Sequence, residues 1–350
     1  HMAGRSKKLE RDAWGRVVRE FFPDESCVEY AYNALGQLAS VVDQNANELK
    51  FDWSRFGLES KTTAAGQLTD YVYDEYGLLS RVDSREQQQV DRSIAYTYDQ
   101  YDRVEKVTYG SGETESFQYD AWGRVICATR GERKATMRYD YFGRLVEKRE
   151  GSLITTYAYN PWGQRISRTT EVDGLKLSEE RSYDKFGRLT EIKSGEKSVV
   201  YVYNRVNQLE RQIVDNVPIE FTYTKYGQLE SKILGGRNAL ISKLEYRYGS
   251  DGMVLGRIVD GKYQSYQYDR KGQLLAVRDE KNLPVEEYVY DPAGNILKKT
   301  VAGKTTVYTY DAANQLKTSE TDGVITEYAY DAAGRLVKEG DKVYRYGYLD

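Results

Sequence analysis

A tyrosine recurs at positions 32, 73, 98, 119, 139, 159, 183, 203, 223, 248, 268, 290, 310 and 330, most often 20 residues after the last. Self-similarity at a short fixed period makes a chain quasi-one-dimensional, because each unit covers its neighbours and none needs a private core. The 41-residue step before Tyr73 is expected to hold one decayed copy, at Ala65-Gly66-Gln67-Leu68. A degenerate copy opens the chain at Asp12-Ala13-Trp14-Gly15-Arg16-Val17.

Each copy carries the chemistry of a tight turn. In Tyr119-Asp120-Ala121-Trp122-Gly123-Arg124-Val125 the tyrosine is followed by Asp, as in nine of the fourteen copies, with Asn in three. The fifth position is Gly in eleven copies, Asn at 207 and 314, and Asp at 102. Those three residue types tolerate positive φ. Asp followed three residues later by a left-handed residue describes a type I turn closed by a G1 bulge. Asp120, Asp140 and Asp184 therefore cap their own turns, and Gly123, Gly143, Gly187, Asn207 and Asn314 supply the left-handed residue.

The bulge sets two residues against one, so Tyr119 is expected opposite Val125 and Tyr139 opposite Leu145. A second aromatic two residues earlier, such as Phe117 or Tyr157, shares a face with the motif tyrosine. Asp260-Gly261, Asp322-Gly323, Gly131-Glu132 and Gly195-Glu196 stand midway between motifs, where the return turns of a meander belong. The reading is all-β: tandem hairpins of about 20 residues in one long, twisted antiparallel sheet of roughly 28 strands. Adjacent strands rotate by about 20–25°, so such a ribbon must coil. Residues 1–8 read as a disordered, tag-like start, and 9–350 as a single array that is degenerate around 40–70.

Composition narrows the function. Tyrosine contributes 33 residues against 8 Phe and 4 Trp, which suits a half-covered sheet face. Lys and Arg number 51 against 54 Asp and Glu, interspersed, so nucleic acid is not an expected partner. No run approaches 18 apolar residues, so no membrane-spanning helix is expected. Cys27 and Cys127 stand about five repeats apart and are expected as free thiols. The one histidine is His1, which leaves no Ser-His-Asp or Cys-His system and no His-ligated metal. No enzyme activity, metal or cofactor is expected, and the recurring carboxylates are read as turn caps.

The string YDAWGRV, with YDYFGRL, YDKFGRL, YDPAGNI and YDAAGRL, resembles the YD repeats of the Rhs family. That family includes bacterial Rhs polymorphic toxins, the B and C components of insecticidal Tc toxin complexes, and teneurins. The resemblance runs from about Asp12 to Tyr346. It implies a sheet strip spiralling into a hollow shell, or an open solenoid, which in bacterial members encloses a cytotoxic C-terminal region. It also implies as partners the rest of a parent shell and its effector, in a secreted or cell-surface bacterial protein. The self-cleaving end of the Rhs core and a toxin domain are not recognisable here, and no export signal is read, so the chain reads as a fragment of a larger protein.

Two functions follow: a scaffold that encloses or presents an effector, or an adhesive surface that binds carbohydrate or protein. They diverge at the third residue after the motif tyrosine, which includes Trp122, Phe142, Trp162 and Phe186. The row becomes Lys271, Ala293, Ala313 and Ala333 near the end. The expectation is that the early rings pack against another winding, and that the late alanines mark a free end.

Overall fold

A computed structural model describes residues 7–86, 89–235, 240–331 and 333–344. Residues 1–6 of the tag-like start, and Tyr346 at the far end of the family resemblance, lie outside them. The described residues form 33 strands and no helix, from β1 (Lys8–Arg11) to β33 (Lys342–Val343). Each strand pairs antiparallel with the next, giving one open meander with two rows of turns along its two edges. Sixteen hairpins close at motif turns, and return turns join them.

The turn chemistry dictates the hairpin. All fourteen left-handed positions have positive φ, among them Gly123 at 80°, Asp102 at 60°, Asn207 at 68° and Asn314 at 59°. In the representative hairpin, Thr114–Tyr119 pairs with Val125–Arg130 and the register slips before Tyr119, setting it opposite Val125. The next hairpin sets Tyr139 opposite Leu145 in the same way. Return turns such as Asp260-Gly261 have two successive positive φ values, 49° and 85°, the type I′ geometry that matches strand twist.

The decayed copy lies elsewhere than expected. Ala65-Gly66-Gln67-Leu68 belongs to the return turn between Leu58–Thr62 and Leu68–Tyr73. The missing motif is Trp53-Ser54-Arg55-Phe56-Gly57-Leu58, one residue shorter, with Trp53 opposite Leu58. Trp53 takes the tyrosine's place: its indole N–H donates to the Leu38 carbonyl at 2.7 Å.

The ribbon curves because its two kinds of ladder differ in length. Within a hairpin, pairing runs up to the motif end, as in Tyr119↔Val125. Between hairpins it runs only from Cys127↔Thr136 to Arg130↔Arg133, so the strands splay beside the motif turns. Side chains fill that wedge. The result is a single layer with a thin core: Val107, Tyr109, Cys127, Ala276 and Val277 are its buried apolar residues, and no described side chain is fully buried. Cys127 is buried, Cys27 is half-buried, and both are free thiols.

The coil closes on itself. Lys271, on a late motif turn, reaches Asp24 on an early return turn at 2.7 Å. Asn45 donates to the Asp291 carboxylate at 2.8 Å, and Asn314 donates to the Asp43 carboxylate at 2.7 Å. Gln67 donates to the Gln315 side chain and the Asp331 carbonyl. Each contact joins return turns of the first hairpins to motif turns about twelve hairpins later, so one winding holds about twenty-four strands. At ~4.8 Å per strand its girth is about 115 Å and its diameter about 37 Å. Barrels of about 16–18 strands already leave a channel, and a winding of this girth is wider.

Candidate functional site: the motif-turn rim and the seam

The rim is built from one repeated unit. Asp120 Oδ1 accepts hydrogen bonds from the Trp122 and Arg124 amides at 2.9 and 3.0 Å. Its other oxygen accepts from Arg124 Nε at 2.6 Å and ion-pairs with Nη2 of the same guanidinium at 2.6 Å, a charge-assisted pair. Asp140 and Asp184 hold Arg144 and Arg188 in the same way. At Asp99 the hydrogen bond from Arg103, opposed by desolvation, holds the carboxyl below the usual carboxylate range.

Each arginine then reaches into the wedge ahead of it. The Arg124 guanidinium lies 4.9 Å from the Trp122 ring and 4.7 Å from the Tyr139 ring, and donates to the Asp140 carbonyl. Arg144 repeats this with Phe142, Tyr159 and the Asn160 carbonyl. Arg188 instead donates to the Asn207 side chain. Where the position is glutamine, the link persists: Gln164 donates to the Gly187 carbonyl at 2.7 Å. The motif arginine thus lies over the tyrosine face, which the alternation pattern alone does not reveal.

Beyond those arginines the aromatic rings of the tips project into solvent. Trp122 is 79% exposed, Phe142 77%, Trp162 83% and Phe186 72%, so the expected burial against another winding is overturned. The seam explains the inversion. The winding docks through the late motif turns, where Lys271, Ala293 and Ala313 are half-buried, and small tips let the polar return turns approach. The early rim faces no neighbouring winding and carries the large rings. Open clefts separate those rings, one of about 450 Å³ between Trp122 and Phe142 and one of about 580 Å³ between Trp162 and Phe186.

Neither element holds a set of groups suited to a metal: among the described residues no three of His, Cys, Asp and Glu cluster. No helix of the described residues is long and apolar enough to cross a membrane. Residues 210–349 match the teneurin YD-shell family model. The crystal structure of TcdB2-TccC3 superposes on 97% of the chain with a TM-score of 0.63 at 14% identity. The chain shares that fold, and its similarity to the teneurin YD-shell family is carried by residues 210–349. The TcdB2-TccC3-Cdc42 crystal structure matches over 96% of the chain, at 14% identity and a TM-score of 0.63. The Photorhabdus luminescens Tc holotoxin pore matches over 95%, at 15% identity and the same TM-score. The chain spans about a quarter of the length of those chains, covering 23–24% of each. Curated protein sequences return no match.

Proposed function

We propose that this YD-shell segment is a non-catalytic wall that encloses or presents an effector, in a secreted or cell-surface protein of bacterial origin. The observation that carries the reading is the seam. A ribbon with almost no core of its own returns to itself after about twelve hairpins, which gives it an inside. The rest of a parent shell and a C-terminal effector are the partners this implies. The wall needs no cofactor, since its carboxylates are already committed to turn capping and arginine pairing. An unfolded reporter segment fused after Asp350 tests the reading. It should resist a protease that cleaves the same segment when free, and equal cleavage of both would overturn enclosure.

The exposure of Trp122, Phe142, Trp162 and Phe186 favours a second reading, in which the rim is a surface for a carbohydrate or protein partner. Stacking of sugars on the rings should then vanish in Trp122→Ala, measured by glycan retention on the immobilised protein.

A further inference from the structure

The rim has three properties that select among occupants. It is apolar at its tips, with about ten large side chains between 65% and 85% exposed, including Trp14, Tyr76, Trp122, Phe142, Trp162 and Phe186. It is periodic, since neighbouring motif turns are two strands apart, or about 9.6 Å. It also follows a helical line around about one winding, ending where the seam begins. Exposed apolar surface on this scale marks an interaction site.

Another winding packed as at the seam does not fit. The seam accepts polar return turns against Ala293 and Ala313, and rings at those positions would hold the two edges apart. A flat or irregular partner meets only two or three rings before the curvature carries the rim away. A helical line, however, maps onto itself under a two-fold rotation about an axis perpendicular to the helix and passing through the line. A second copy related in this way runs its rim along the first for the whole arc, with the same curvature and period.

From this match we infer that the aromatic rim is a self-association surface, on which two copies meet rim to rim as a closed two-fold dimer. This deepens the partner-surface reading of the rim and is independent of what the shell encloses. An offset of half a period places the rings of one copy between those of the other, about 5 Å apart, within the 4.5–7 Å range of aromatic pairs. The clefts beside Trp122 and Trp162 are where the partner's rings would insert. The motif arginines do not oppose the contact, because Arg124, Arg144 and Arg188 are each paired with an aspartate of their own turn. Covering about half the exposed surface of ten such side chains buries roughly 800 Å² per copy, the size of a standard stable interface. Such a contact is isologous and stops at two.

Sedimentation of the full chain over a range of concentrations tests the assignment. A monomer–dimer equilibrium is expected, with a blue shift of tryptophan emission as the dimer forms, since Trp14, Trp122 and Trp162 all lie on the rim. The triple variant Trp122→Ser, Phe142→Ser, Trp162→Ser should stay monomeric at every concentration with unchanged far-UV CD. Ile325→Ser, which removes an exposed apolar side chain away from the motif turns, should leave the dimer intact. A wild-type chain that is monomeric at 100 µM would overturn the assignment. So would species growing beyond two, a dimer that survives the triple variant, or a rim that binds oligosaccharide while the chain stays monomeric.

Discussion

The Tyr139 hydroxyl donates to the Val125 carbonyl at 2.8 Å, from the end of one hairpin to the start of the second strand of the hairpin before it. That carbonyl lies beyond the last inter-hairpin pair, Cys127↔Thr136, where the ladder has stopped. The bond recurs from Tyr119 to Val104, Tyr159 to Leu145, Tyr203 to Leu189 and Tyr310 to Ile296. It is why the motif demands tyrosine over phenylalanine: the ring fills the wedge, the hydroxyl satisfies a stranded carbonyl, and the next arginine covers the ring.

Tyr139→Phe keeps the ring and removes the bond. The loss should be about 1 kcal/mol, the net worth of one such bond with its acceptor half-exposed. Tyr139→Leu should cost more, because the stacked arginine also loses its platform. Urea midpoints of the two variants decide this, and equal midpoints for wild type and Tyr139→Phe would show that water replaces the hydroxyl at no loss.

The same phenols govern stability at high pH. Burial pushes Tyr109 up to about 12, aided by Glu115, and Tyr288 up to about 12, aided by its hydrogen bond to Glu286. Burial also raises Tyr119, Tyr223, Tyr248 and Tyr310. A raised pKa means the fold retains protons that the unfolded chain loses near pH 10. Stability should therefore be flat below about pH 10 and fall as pH rises toward about 12. Tyrosinate absorbance should appear together with the loss of β-sheet CD. Ionisation near pH 10 in a sheet that stays folded would count against the covered phenols.

Much of this was readable in advance, for a local reason. Turn type, left-handed positions and the Tyr119–Val125 register follow from residues within six of each other, so the hairpin was legible. Trp53 escapes the tyrosine period because it is not a tyrosine and the turn that follows it is one residue short. The aromatic Phe56 before Gly57-Leu58 was the signal that would have found it. The seam was not legible at all. Lys271 and Asp24 meet only because small twists add up over some two dozen strands, and no window of sequence contains that sum. For the same reason the step from rings to alanines points the wrong way in the sequence alone. Its meaning depends on where one winding ends.

Asn207 has a φ of 68° in a position that is mostly glycine. Asn207→Gly should be neutral or slightly stabilising, whereas Asn207→Val should cost about 1–2 kcal/mol because a β-branched side chain is strained at positive φ. Asn207 also accepts a hydrogen bond from Arg188, so Asn207→Asp serves as the variant that keeps both features. Thermal midpoints ranking Gly and Asp together above Val are expected, and a Val variant as stable as the Gly variant would contradict the turn.

Trp122→Ala removes a ring that is 79% exposed and stacks against Arg124. The cost to the folded chain should be below about 1 kcal/mol, as for surface positions. A loss of about 3–5 kcal/mol, the range for a buried aromatic, would place the ring in a core. Chemical denaturation below the concentration at which copies associate makes the comparison clean.

The seam is a different kind of contact from the sheet it joins, and the two should come apart separately. Every strand keeps its ladder when the seam opens, because no backbone pair crosses it; Asp24–Lys271, Asn45–Asp291 and Gln67–Gln315 are side-chain contacts. Each such bond is worth about 0.5–1.5 kcal/mol, and an exposed ion pair about 0–1. The combined variant Lys271→Ala, Asn45→Ala, Gln67→Ala, Asn314→Gly, the last of which removes the bond to Asp43 while tolerating the positive φ, should therefore release about 2–4 kcal/mol of winding-to-winding contact and little else. The expected outcome is a larger radius of gyration in small-angle scattering, with far-UV CD and the unfolding midpoint of the sheet close to wild type. An unchanged radius would mean that strand twist alone sets the winding. Collapse of the CD signal would mean that the coil is a closed domain whose sheet needs the seam in order to fold.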